Sequence, residues 1–144
     1  PAAWKVNTEA AAGKNELWLD VPAGENDFIT CYFKPLQGDY DKAKANIPAS
    51  FRSENFASFD EMYGAEKLKI NVFRKASCAK IRGLEICSGE FKYNYQQYPN
   101  QHTYYAIFKT DKGAQQAFFS TGPKIYSKNV AVFKKVMNSL SLIR

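Results

Sequence analysis

The chain has one histidine, His102, among its 144 residues, no Cys-x-x-Cys pair, and neither a Walker A loop nor a Gly-x-Gly-x-x-Gly turn. Each absence removes a class of chemistry. With a single imidazole, any Ser-His or Cys-His nucleophile pair has to use His102 itself, and that residue stands in "YPNQHT", which reads as a solvated, turn-like stretch. Three cysteines without ligand spacing do not supply a zinc site, and the acidic residues Asp20, Glu25, Asp27, Asp39 and Asp41 do not follow EF-hand order. Adjacent Asp60 and Glu61 would point about 100° apart on a helix, unlike two acids facing across a glycosidase cleft. The expectation is a non-enzyme with no catalytic residue, cofactor or metal. No apolar run approaches the roughly 20 residues of a membrane span.

What is present points to a half-buried sheet. Apolar residues make up 45% and aromatics 15%, mostly Phe (11) and Tyr (9), a composition that suits pleated strands better than a helical bundle. The length fits one domain, residues 1–144, with 1–15 as a loose N-terminal arm and Trp4 tucked against the body. Lys and Arg exceed Asp and Glu by 20 to 14, a net +6 that favours an acidic partner or a solvated basic surface.

The sharpest signal is "SCAKIRGLEICSG". If Arg82-Gly83 forms a two-residue type I′ turn, Ile81 pairs with Leu84, Lys80 with Glu85, Ala79 with Ile86 and Cys78 with Cys87. The last pair falls in the non-hydrogen-bonded class, whose Cα atoms lie about 4.5 Å apart, within reach of a disulfide. A Cys78–Cys87 bridge implies an oxidising compartment, periplasmic or secreted, and the start at Pro1 suits a mature product whose signal peptide has been removed as well as a trimmed chain. Cys31, in "FITCYF", reads as a buried thiol.

Periodicity gives the rest. "ELWLDVP" and "FITCYF" read as a hairpin turning through Ala23–Asp27. "DYDKAKANIP" predicts a short helix with Asp39 at its start and Pro48 ending it; Ser58 to Glu61 has the form of a capping box opening a second short helix that Gly64 closes, with Phe51 and Phe56 pinning an irregular connection between the two. A meander follows: "KLKINVF", the cysteine hairpin, "EFKYNYQQY", a turn at Pro99-Asn100, "TYYAIF", a turn at Asp111 to Gly113, and "QQAFFS". The apolar parity is even at Leu84 and Ile86 but odd from Phe91, which predicts a face-swapping bulge at Ser88-Gly89. Phe91, Tyr93 and Tyr95 are then expected beneath a last helix in which Val130, Phe133, Met137 and Leu140 form the apolar stripe and Ser127 the N-cap. The fold class is α+β: one domain, an antiparallel meander packed against a C-terminal amphipathic helix, with short helices in the first half.

Lys67, Lys69 and Lys75 share parity on one strand, and Lys80, Arg82 and Lys92 lie on its neighbours, so the six form a candidate basic face or edge for a partner. Because Phe91, Tyr93 and Tyr95 take the parity opposite to Lys92, base stacking on them is not expected, and nucleic acid is not the favoured ligand.

The stretches "IRGLEICSGEFKYNY", "YYAIFKTDKGAQQAFFSTG" and "YSKNVAVFKKVMNSLSLI" resemble the PsbP-like fold shared by photosystem extrinsic proteins, a Ran-binding import factor and bacterial DcrB-type proteins, over about residues 60–144. Phe133 and Ser139-Leu140 match the family's closing helix and its serine-containing tail, whereas the cysteine hairpin and the first half depart from it. The resemblance implies a non-catalytic adaptor, chaperone or subunit and carries over no catalytic residue. The expected function is an exported binding protein that engages another protein, of adaptor, chaperone or immunity and inhibitor type. A small-molecule or lipid carrier and a hydrolase are the alternatives.

Overall fold

In the computed structural model, which describes residues 4–6, 16–21, 29–95 and 98–140, the chain forms a seven-stranded antiparallel sheet in the order β1-β2-β3-β7-β6-β5-β4. The strands are β1 (Lys5–Val6), β2 (Leu17–Asp20), β3 (Ile29–Pro35), β4 (Ile70–Ile81), β5 (Leu84–Tyr95), β6 (Tyr98–Thr110) and β7 (Gly113–Thr121). Among the described residues three α-helices accompany it: α1 (Tyr40–Ala45), α2 (Ile47–Tyr63) and α3 (Pro123–Asn138). The α+β class and the closing helix are as expected. The early hairpin does not extend the meander at its start: β3 pairs along its length with β7, so the chain must cross one sheet face through α1 and α2 to reach β4 at the far edge.

That crossing explains the change of parity along β5. Both faces are buried. Cys87, Phe91 and Tyr93 point toward α1 and α2 with Tyr105, Ile107 and Phe118, while Leu84 and Ile86 point toward α3 with Tyr104, Ala106, Phe108 and Phe119. A strand covered on both sides shows no single apolar parity. The β5–β6 register is therefore unbroken from Ile86 to Tyr93, and the expected bulge at Ser88-Gly89 is instead carried by β4, with register shifts between Val72 and Arg74 and between Arg74 and Ser77. It follows that Phe91 and Tyr93 lie under α2 and not under the last helix. The side chain of Tyr95 lies outside the described residues.

The cysteine hairpin has the derived register, Cys78 with Cys87 through Ile81 with Leu84, and Arg82 and Gly83 take φ of 51° and 81°, the left-handed pair that a type I′ turn requires. The two sulfurs are 2.08 Å apart. Asp39 caps α1 by accepting from the Lys42 amide, but Pro48 opens the next helix instead of ending this one. Proline fits the first helical turn, where its missing N–H has no partner to lose, and Asn46 serves both as the end of α1 and as the N-cap of α2. The helix then runs unbroken to Gly64, whose φ of 91° closes it as expected. Ser58 is thus mid-helix, and Phe51 and Phe56 are buried helix residues, because tertiary burial of Ile47, Phe51 and Phe56 outweighs the local capping signal. Similarly α3 begins at Pro123 with Gly122 before it, and Ser127 lies inside the helix, bonded back to the Lys124 carbonyl.

Trp4 stacks on Phe119 and Phe133, so the start of the arm is tucked against the α3 face. The remainder of the arm and the turn at Ala23–Asp27 lie outside the described residues. Pro99 and Asn100, expected to form a turn, instead belong to β6, where Asn100 keeps a φ of 54° beside a register shift between Tyr93 and Tyr95.

Candidate functional site

Polar chemistry gathers where β4, the edge strand, meets the α3 face. The bulge at Val72/Arg74 adds a residue to β4, and both Phe73 and Arg74 turn toward groups on that face. Glu90, on β5 and only 4% exposed, is the hub. Its carboxylate accepts from Arg74 Nε, from the Tyr126 hydroxyl at 2.5 Å and from Lys134 Nζ at 3.3 Å, while Arg74 Nη2 also donates to Ser88 Oγ at 3.0 Å. Burial pushes the Glu90 carboxyl up, but the hydrogen bonds from Tyr126 and Arg74 and the charges of Lys134 and Arg74 outweigh it and hold it below its ordinary value. Burial and the same bond raise the Tyr126 hydroxyl far above its own. Tyr126 is therefore a fixed donor, and Glu90 a fixed anion that ties α3 to the sheet.

Beside it runs a stack of rings. Lys92 Nζ lies 4.3 Å over the Phe73 ring, Phe73 is 5.5 Å from His102, and His102 is 5.4 Å from Tyr126. Instead of sitting in a solvated loop, His102 lies within β6 opposite Lys92, half-buried. Burial first, and then the Lys92 charge, lower its pKa, with Glu90 acting weakly the other way. The imidazole is neutral near pH 7 and packs between rings.

The six basic residues are all exposed, but they do not form one patch. Lys67 ends a short 3-10 turn (Ala65–Lys67) and Lys69 precedes β4; with Lys92 they flank Val72 and Phe73, which are 56% and 52% exposed. Lys75 projects from the second bulge, so the shared parity with Lys69 is lost. Lys80 and Arg82 lie at the hairpin end, where Glu85 opposite Lys80 is held by Lys44 at 2.7 Å and by the Tyr40 hydroxyl at 3.2 Å. The Cys78–Cys87 bridge ties the edge strand to β5 between the two groups, with Cys87 buried and Cys78 exposed. Cys31 is a buried thiol, raised to about 12 by desolvation, and so chemically quiet.

Sequence reasoning did not find Glu90, Arg74, Tyr126 and Lys134. The available signal was an acid on the parity of Leu84 and Ile86, a position that a buried strand leaves charged only when a partner is present. It also missed a second polar group on the α2 face. There a cavity of about 200 Å³ is walled by Tyr32, Phe56, Tyr93 and Phe118, with Thr30, Asn55 and Gln101 supplying polar atoms. Tyr93, Thr103 and Ser120 share hydrogen bonds of 2.7 to 3.2 Å nearby, whereas the side-chain oxygen of buried Gln101 has no partner. Among the described residues no group of three or more His, Cys, Asp or Glu side chains could hold a metal ion, and no helix is long and apolar enough to cross a membrane.

These observations define a class: a three-layer α+β domain, helices on both faces of an antiparallel sheet, with one sheet edge bulged and basic. No protein-family model and no curated protein matches the chain. Among solved structures it is similar to a Pseudomonas aeruginosa protein of unknown function, with a TM-score of 0.63, 12% identity, and coverage of 91% of this chain and 85% of that one. At that identity the likeness concerns the fold alone.

Proposed function

We propose that the protein binds another protein, acidic at its contact surface, through the bulged edge strand β4, and that it does so without catalysis. The observation that carries this reading is the free sheet edge, where half-exposed Val72 and Phe73 stand among Lys67, Lys69, Lys75 and Lys92 and none of these lysines makes a salt bridge among the described residues. An apolar contact ringed by like charges suits a partner that brings an apolar residue and carboxylates, since the charges steer the encounter and the rings supply burial. The bulges interrupt regular pairing along β4, which favours side-chain contacts over addition of a long strand. A role as adaptor, chaperone or inhibitor, in an exported setting compatible with the Cys78–Cys87 bridge, and the PsbP-like or DcrB-like relationship belong to the same proposal.

The test is affinity capture from the native source with the wild type and with Lys67→Glu/Lys69→Glu/Lys75→Glu. An acidic protein retained by the wild type and lost from the variant is the expected result. Undiminished capture by the charge-reversed protein removes the basic edge from the mechanism. A hydrolase would instead require His102, so activity surviving His102→Ala would end histidine-dependent catalysis.

A further inference from the structure

We propose that the outer face of α3 docks on an anionic lipid bilayer, with Lys124, Lys128 and Lys135 at the headgroup phosphates. The surface is separate from the β4 edge and does not depend on the partner proposed there. At about 100° per helical residue the three lysines fall within about 40° of one another, and the short side chains of Ala131 and Asn138 share their side of the helix; all five residues are exposed. The row is about 16 Å long. None of its lysines makes a salt bridge among the described residues, whereas Lys134 turns inward to Glu90.

The distribution of charge orients that row. Residues 39–67, which hold α1, α2 and the 3-10 turn, carry six acidic and four basic side chains, a net −2. Residues 123–138 carry four lysines and no acid, a net +4, and no Asp or Glu follows Asp111. Because α2 and α3 cover opposite faces of the sheet, the two outer layers differ in sign, and a negatively charged plane attracts the α3 side while it repels the other.

The chemistry of the face selects a bilayer among anionic partners. No aromatic residue or arginine stands on the row, so it lacks both the anchors that concentrate affinity at a protein interface and the planar fork that reads base edges. Beside it Ile125, Val132 and Val136 form a second row, each half-buried and packed into neither core cluster of the described residues. Lysines next to a shallow aliphatic shoulder match the boundary between headgroups and acyl chains.

The experiment co-sediments the full chain at low salt with vesicles of phosphatidylcholine, pure or containing about a quarter phosphatidylglycerol. Binding to the mixed vesicles, none to the pure ones, and weakening as salt rises are expected. Each lysine at such a surface contributes about a fivefold factor, so Lys124→Gln/Lys128→Gln/Lys135→Gln should bind about a hundredfold more weakly. Lys67→Gln/Lys69→Gln/Lys75→Gln, which removes the same charge from the β4 edge, should stay close to the wild type. Equal loss in the two triple variants would reduce the attraction to net charge and overturns the proposal. Absence of binding by the wild type overturns it, as does a short DNA duplex held more tightly than the mixed vesicles and released by the α3 substitutions. In Ala131→Trp the added emission should move to the blue on the mixed vesicles, and an unmoved emission overturns the proposal even where the triple variant does not fold.

Discussion

The two helical layers cover opposite faces of one sheet and are fixed to it by different means. On one face α3 lays Phe133 and Met137 against Tyr104, Phe119 and Cys31 and is clamped by Tyr126 and Lys134 to Glu90. On the other, α2 inserts Phe51 into a nest of rings: stacked on Phe91 at 4.9 Å and Phe118 at 5.6 Å, and edge-on to Phe56 at 5.4 Å. The α3 layer is amphipathic and pinned by an ion-paired carboxylate, whereas the α2 layer joins a few deeply inserted rings with hydrogen bonds of Asn55 and Glu54 to Tyr32 and Gln116. Deep burial of Phe51 together with such bonds can thus replace a continuous apolar stripe in anchoring a helix.

The comparison is tested most severely by truncating each anchor. Phe51→Ala and Phe133→Ala, both fully buried, should each cost about 3–5 kcal/mol in denaturant unfolding. If α2 depends on Phe51 as argued, native-state hydrogen exchange in Phe51→Ala should show α2 amides opening before global unfolding. Phe133→Ala should leave α3 protected longer because the Glu90 clamp remains. Equal local opening in the two variants would dissolve the distinction.

Next in size is the covalent tie along the edge. Reducing Cys78–Cys87, which are nine residues apart, should lower stability by about 2–3 kcal/mol for a closed loop of that length. Intact mass after alkylation without reduction should show one labelled thiol at most, since Cys31 is buried; three labels would mean no bridge.

The charged clamp predicts a pH dependence on the acid side. His102 has a lowered pKa in the fold, so the unfolded chain takes up its proton first and stability declines as pH falls below the ordinary value of 6.5. Glu90 is likewise lowered; its contribution is complete above 4.5 and is lost as pH falls through its depressed folded value. His102→Gln should remove the first decline and Glu90→Gln the second. The latter should also cost about 1–3 kcal/mol near pH 7, because Arg74 and Lys134 are about a third or more exposed and can rehydrate. A stability profile flat between pH 7 and 4.5 would contradict the His102 assignment, and one that stays flat as pH falls on below 4.5 would contradict that of Glu90.

The same contrast explains what the sequence discloses. The α3 stripe, the Arg82-Gly83 corner and the Asp111 to Gly113 turn are local patterns, and each stands where its pattern puts it. The α2 layer was not legible as one helix because Phe51 and Phe56 lie on a segment with little amphipathic contrast, and the Ser58 to Glu61 pattern mimics a start. Pairing of β3 with β7 is a long-range fact that no window contains, and it alone turns a one-sided meander into a sheet buried on both faces. Once both faces are buried, alternation no longer separates core from surface, and so Glu90 and Gln101 read as ordinary solvent-facing polar residues.

The smallest effect concerns how the α2 layer ends. Arg52 donates through Nε and Nη2 to both oxygens of Asp60, at 2.9 and 2.8 Å, and through Nη1 and Nη2 to the carbonyls of Leu68 and Ala65, each at 2.6 Å. One guanidinium thus joins the last turns of α2 to the 3-10 turn and to the residue from which β4 departs. Lysine keeps the charge but offers a point donor in place of a planar fork, and cannot serve four acceptors at once. Arg52→Lys should cost about 1 kcal/mol globally, since the side chains are a quarter to a fifth exposed and water replaces part of what is lost. Its effect should be concentrated at Gly64 to Lys67, whose amides would exchange faster while those of α3 stay unchanged. If the protection lost were spread evenly over both layers, the two helices would be coupled through the sheet, and the separation of their anchoring would be wrong.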